Sequence, residues 1–184
     1  PMRWTALFCL PSLTLALAAA PPRPLPLANA GFESDLEGWK ATGPGAVEAL
    51  PGLGQGGSKA LRVRQGAFGQ TTVAGPAVKL QVGRLYRLSA WAKAEGVTVD
   101  PAARYPTALG ACLSMASFPF TNASPTVTAE GNGRLEVTFF ATSAQDRVQL
   151  HLGRNGGAAG TVHFDDVRLE EVEITEQIGR ASCR

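Results

Sequence analysis

The stretch Leu85-Tyr86-Arg87-Leu88-Ser89-Ala90-Trp91-Ala92-Lys93 decides the fold class. Tyr86, Leu88, Ala90 and Ala92 fall on one parity, and Arg87, Ser89, Trp91 and Lys93 on the other. Successive side chains of a β-strand point to opposite faces, so this alternation marks a strand with one buried and one polar face. The pattern recurs outward in both directions: in Lys59-Ala60-Leu61-Arg62-Val63-Arg64, in Leu135-Glu136-Val137-Thr138-Phe139, in Val148-Gln149-Leu150-His151-Leu152, and in the first four residues of Val167-Arg168-Leu169-Glu170-Glu171-Val172. Turns are expected at Gly43-Pro44-Gly45, Gly52 to Gly57, Gly131-Asn132-Gly133 and Asn155-Gly156-Gly157, where glycine and asparagine accept positive φ. No window shows a capped helical period. Many short strands without intervening helices predict an all-β sandwich or jelly roll.

The chain is long enough for one domain with a real core: 184 residues, 45% hydrophobic and 17% charged, punctuated by 21 Gly and 13 Pro. Its N-terminus reads as a signal peptide over residues 1–20. Arg3 supplies the charge, Leu7 to Leu17 the apolar core interrupted by Pro11, and Ala16-Leu17-Ala18 the small-x-small cleavage site. That run is short against the about 20 residues a membrane span needs, so no membrane role beyond the signal is expected. The expected location is secreted or on a bacterial cell surface, the Ala-, Gly-, Pro- and Arg-rich composition fitting a high-GC bacterium. Residues 21–27 read as a stiff Pro-rich linker and 28–174 as the sandwich. Thr175-Glu176-Gln177 reads as the start of a continuation, and residues 178–184 as the translation of a sequencing adapter. Setting aside Arg3, Arg180 and Arg184 takes the formal charge from +2 to −1, which argues against nucleic acid or an anionic membrane as partner. Setting aside Cys9 and Cys183 leaves Cys112 without a disulfide partner, a small buried hydrophobe in an apolar run.

Catalytic constellations are missing from the sequence. His151 and His163 stand on separate strands without metal-ligand spacing. No nucleophile elbow appears. Gly52 to Gly57 lacks the Lys-Ser/Thr ending of a phosphate loop, and no spacing singles out a glycosidase carboxylate pair. The visible region is therefore expected to be non-catalytic.

Four segments stand in a telling order. Asn29-Ala30-Gly31-Phe32-Glu33 runs on to Leu36-Glu37-Gly38-Trp39. Gly56-Gly57-Ser58-Lys59-Ala60-Leu61-Arg62-Val63 follows, then Tyr86 to Lys93, and finally Val162-His163-Phe164-Asp165-Asp166-Val167-Arg168-Leu169. In this order they resemble the carbohydrate-binding modules of families four, nine and twenty-two, over nearly the whole of 28–174. The resemblance implies a galactose-binding-like β-sandwich with Trp39 buried near the N-terminal strand. It also implies a structural calcium joining the N-terminal segment to the last strand, with carboxylates from Glu33 and Asp165 and backbone carbonyls of Asn29 and of Ser58 or Lys59. Asp165 has the parity of Val167 and Leu169, which points it inward. An inward carboxylate needs a partner, and calcium takes such hard oxygens; an arginine or a capped turn would serve as well.

Sugars stack their C–H faces on rings and need polar groups around them. Two places qualify. The first is a groove of Trp91, Phe140, Gln149 and His151, all on polar parities; the second is the segment 100–122 with Arg104, Tyr105, Phe118 and Phe120. The expected function is a secreted, non-catalytic module, monomeric within a larger chain, that binds a polysaccharide or cell-wall glycan. It would hold an attached catalytic or cell-surface domain near that glycan, making the second encounter intramolecular. The other reading is a structural or protein-interaction sandwich without a sugar site. Exposed, clustered rings favour the first, and packed rings the second.

Overall fold

The structure is a computed structural model and describes residues 20–103, 110–117, 129–155 and 157–173. Its strands are β1 (Arg23–Leu25), β2 (Lys40–Thr42), β3 (Ala46–Leu50), β4 (Ala60–Gly69), β5 (Thr71–Lys79), β6 (Leu85–Val99), β7 (Ala111–Met115), β8 (Ala129–Phe140), β9 (Gln145–Leu152) and β10 (Ala158–Glu171). The larger sheet runs β3-β4-β10-β6-β8, with β1 added against β10; the smaller runs β2-β5-β9-β7. All pairings are antiparallel. The all-β sandwich expected from the alternation is what forms.

The alternating residues make the core. Leu61 and Val63 of β4, Leu88, Ala90 and Ala92 of β6, and Val162 and Phe164 of β10 face inward from the large sheet. Val73 of β5, Leu113 and Met115 of β7, and Val148, Leu150 and Leu152 of β9 meet them from the small one. Each large apolar side chain so buried contributes about 1.5–3 kcal/mol. Phe32 and Trp39 pack together with ring centroids 5.0 Å apart, and the Trp39 indole N–H donates to the Asn29 carbonyl at 3.1 Å. Gly75 is where this tryptophan meets β5. A Cβ there would stand 3.0–3.3 Å from three ring carbons of Trp39, so only glycine lets the ring lie so close. The β5–β9 register shifts at the same place, between Ala74 and Ala77.

Three local expectations differ from the structure. The Pro-rich segment expected as a linker contains β1, paired Arg23 to Glu171 and Leu25 to Leu169; proline is compatible with so short a strand where its missing N–H is not needed. Gly131-Asn132-Gly133, expected as a turn, lies inside β8 opposite Ala94, Lys93 and Ala92, because the long β6 offers those glycines an extended partner. Third, Asp165 does not share the face of Val167 and Leu169. It stands opposite Trp91, on the outer face of the large sheet, and the register with β6 shifts before Arg168. Asp166, at φ 49°, is the bulged residue that flips the parity; aspartate enters this region more readily than most residues.

Candidate functional site

The outer faces of the two sheets differ in chemistry. On the small sheet the pairing aligns two rows: Thr42, Thr72, His151 and Cys112, and beside it Lys40, Ala74, Gln149 and Ser114. His151 is the buried centre. Its Nδ1 lies 3.0 Å from Thr72 Oγ1 and its Nε2 2.8 Å from Ser114 Oγ. Burial pushes its pKa down to about 3, with the nearby Arg154 charge acting in the same direction. The ring is thus neutral, one nitrogen donating and the other accepting, and a hydroxyl can answer either role. Cys112 beside it is buried, and burial pushes its thiol up to about 11 against the opposing pull of Arg154. A protonated, enclosed thiol is a poor nucleophile. Gln149 is half-buried, and no described residue engages its side-chain amide.

The outer face of the large sheet is a lattice of ion pairs. Arg62 meets Glu48 at 2.5 Å, Arg87 meets Glu170 at 2.7 Å, and Lys93 meets Glu95 at 2.7 Å. Arg134 and Arg168 both hold Asp166. Trp91 is half-buried here between Arg134 of β8 and Asp165 of β10. Phe140 ends β8 and is 52% exposed, whereas Phe139 turns inward, its ring 5.9 Å from that of Tyr86.

The structure therefore divides the expected groove. Trp91 and Phe140 are on the large sheet, Gln149 and His151 on the small one, and the two pairs lie on opposite outer faces of the sandwich, His151 buried within its own. Each residue's parity is as expected, but periodicity carries no information about which strands share a sheet. Arg104, Tyr105, Phe118 and Phe120 lie outside the described residues. Thr72 and Ser114, not singled out from the sequence, complete the histidine's setting. Their signal was the alternation in Thr72-Val73-Ala74 and in Cys112-Leu113-Ser114-Met115, which puts both hydroxyls opposite the apolar parity.

The expected calcium ligands gather around the 3₁₀ turn Gln55–Gly57. Asp165 Oδ2 accepts from the Gln55 N–H at 2.9 Å and the Ser58 hydroxyl at 2.6 Å, and its Oδ1 accepts from the Asp166 N–H at 2.6 Å. Glu33 Oε1 accepts from the Lys59 N–H at 3.0 Å, and the Lys59 ammonium reaches the Glu33 carbonyl and Asp35. The Asn29 carbonyl is occupied by the N–H groups of Phe32 and Trp39. Of the expected set, the carboxylates of Glu33 and Asp165 keep lone pairs for a hard cation, and the Asn29 carbonyl does not. No group of three or more His, Cys, Asp or Glu among the described residues is placed to hold a metal.

Residues 27–108, which include β2 to β6, match the family model described as a carbohydrate binding domain. That match spans the N-terminal part of the sandwich, and the likeness of the whole is one of fold to carbohydrate-binding modules. Among solved structures, the chain is similar to TmCBM61 in complex with β-1,4-galactotriose, at 18% identity and TM-score 0.55, over 78% of this chain and 95% of that one. It is also similar to the CBM22-1–GH10 portion of Clostridium thermocellum xylanase 10B complexed with xylohexaose, at 16% identity and TM-score 0.53, over 83% of this chain and 29% of that one. A third likeness is to a Stig cyclase, Fisc from Fischerella sp. TAU, at 17% identity and TM-score 0.56, over 84% of this chain and all of the cyclase. At these identities the likeness is one of fold, and a cyclase on the same sandwich shows that fold does not decide chemistry. No curated protein sequence matches the chain.

Proposed function

We propose that the chain is a secreted, non-catalytic carbohydrate-binding module that takes a polysaccharide or cell-wall glycan across the outer face of its small sheet. It keeps an attached domain close to that glycan. The observation that carries this reading is the half-buried amide of Gln149, engaged by no other described side chain and set among the uncharged hydrogen-bonding groups Thr72, His151 and Ser114. Sugar hydroxyls need neutral donors and acceptors with capacity to spare. The large sheet's outer face has spent its capacity on ion pairs. The histidine and its two hydroxyls serve as a rigid support for the groups that meet the sugar, which lowers the cost of ordering on binding.

Calcium enters this reading on a narrower basis than the resemblance implied, through Glu33 and Asp165. When bound, it would tie the N-terminal segment to β10 alongside the hydrogen bonds already there. The test is polysaccharide retardation and a glycan panel for the whole chain, with calcium and with EDTA. Specific retention that weakens in Gln149→Ala supports the site. A folded chain retained by no glycan overturns it in favour of a protein-interaction sandwich. A melting temperature unmoved by EDTA removes calcium from the account.

A further inference from the structure

The strands of the small sheet carry an unbalanced set of charges. Lys40, Lys79 and Arg147 are all exposed. Their cross-strand partners are Ala74, Gln145 and Ala77, which puts all three on the face that holds Gln149. None of the three makes an ion pair among the described residues. Arg147 donates Nη1 to the Gly75 carbonyl at 3.1 Å and has further guanidinium donors beyond it. The one carboxylate on these strands is Asp146, which is buried, its Oδ1 accepting from the backbone N–H groups of Ser117 and Arg147. The large sheet behaves otherwise: Arg62, Arg87, Lys93, Arg134 and Arg168 each hold a carboxylate, and Arg64 is the exposed exception.

Resting on the glycan-binding reading, we infer that the glycan is anionic, a uronate-bearing polysaccharide whose carboxylates are met by Lys40, Lys79 and Arg147 while its hydroxyls meet Gln149. One-signed charge on a single face attracts the opposite sign. A guanidinium with free donors suits a carboxylate because it can make two parallel charge-assisted hydrogen bonds. Arg147 and Gln149 are two residues apart on the same face of β9, about 7 Å along the strand, so one glycan chain reaches both.

The experiment compares retention of the whole chain on polygalacturonate, on neutral galactan and uronate-free xylan, and on duplex DNA. The expected result is strongest retention on polygalacturonate, lost in about 1 M salt where the screening length falls to about 3 Å. Lys40→Glu and Arg147→Glu each weaken it about tenfold, the value of one charge-assisted contact. Arg64→Glu, the same charge change on the other sheet, leaves it unchanged. All three side chains are exposed, so the variants fold as the parent does. Neutral glycans held as tightly as polygalacturonate would overturn the inference and leave the glycan-binding reading standing. DNA held as tightly as polygalacturonate, or equal loss in Arg64→Glu, would also overturn it. Retention on no glycan would sink both.

Discussion

His151 Nε2 lies 2.8 Å from the Oγ of Ser114 on the neighbouring strand, in a buried position where the ring stays neutral. With Thr72 on its other nitrogen, one imidazole links β5, β9 and β7. The folded pKa, about 3, lies below the ordinary value of 6.5. Between those values the unfolded chain binds a proton that the folded chain refuses. Stability is therefore complete above about pH 6.5 and is lost as pH falls toward the folded value. Burial shifts His163 in the same direction, opposed by Glu95. We expect the melting temperature to fall steadily from pH 7 to pH 4, and the fall to be shallower in His151→Gln. A parent profile flat over that range would show that the ring is not held neutral.

Asp165 concentrates three donors on one buried carboxylate. Asp165→Ala leaves the Gln55 and Asp166 N–H groups and the Ser58 hydroxyl without an acceptor. The expected loss is about 3 kcal/mol in urea unfolding, against about 1 kcal/mol for Ser58→Ala, which removes one donor only. Equal losses in the two variants would mean that the turn is held by something other than this carboxylate.

Gly75→Ala should destabilise the fold by about 1–3 kcal/mol, because the added methyl overpacks against the face of Trp39. The effect should be strongly coupled to Trp39 in a double-mutant cycle with Trp39→Phe, which measures contact directly. Additive losses would place the tryptophan elsewhere.

Trp91→Ala and Gln149→Ala separate the two outer faces. The small-sheet reading expects Gln149→Ala to weaken glycan binding about tenfold, one hydrogen bond to a sugar hydroxyl. Trp91→Ala should leave binding as it was, since Trp91 looks out from the other side. Isothermal titration of both variants, with circular dichroism to confirm folding, decides the matter. Loss in Trp91→Ala alone moves the site to the large sheet.

Much of this molecule was legible before its coordinates. Five strands, the inward parity of Leu61, Leu88 and Leu150, and the buried Trp39 follow from period and motif order. What was not legible depended on pairing. Parity puts Trp91 and Gln149 each on a polar face, but only the strand order shows that these are different faces. The parity of Asp165 was misread because a bulge inserts one residue, which no local pattern announces. β1 was hidden because a Pro-rich stretch reads as linker whether or not a neighbouring strand captures it. The charge imbalance between the sheets likewise exists only once the strands are sorted.

β10 is the last strand among the described residues, yet it sits in the middle of the large sheet, flanked by β4 and β6 and met by β1. A ribosome emitting this chain from its N-terminus delivers β3, β4, β6 and β8 before the strand that must lie among them. The large sheet cannot close until residue 171 has left the exit tunnel. Until then β4 and β6 expose unpaired edges and apolar faces, the condition under which nascent chains associate with one another. Closure of this sandwich therefore waits on β10, and its most vulnerable interval is the one just before that strand arrives.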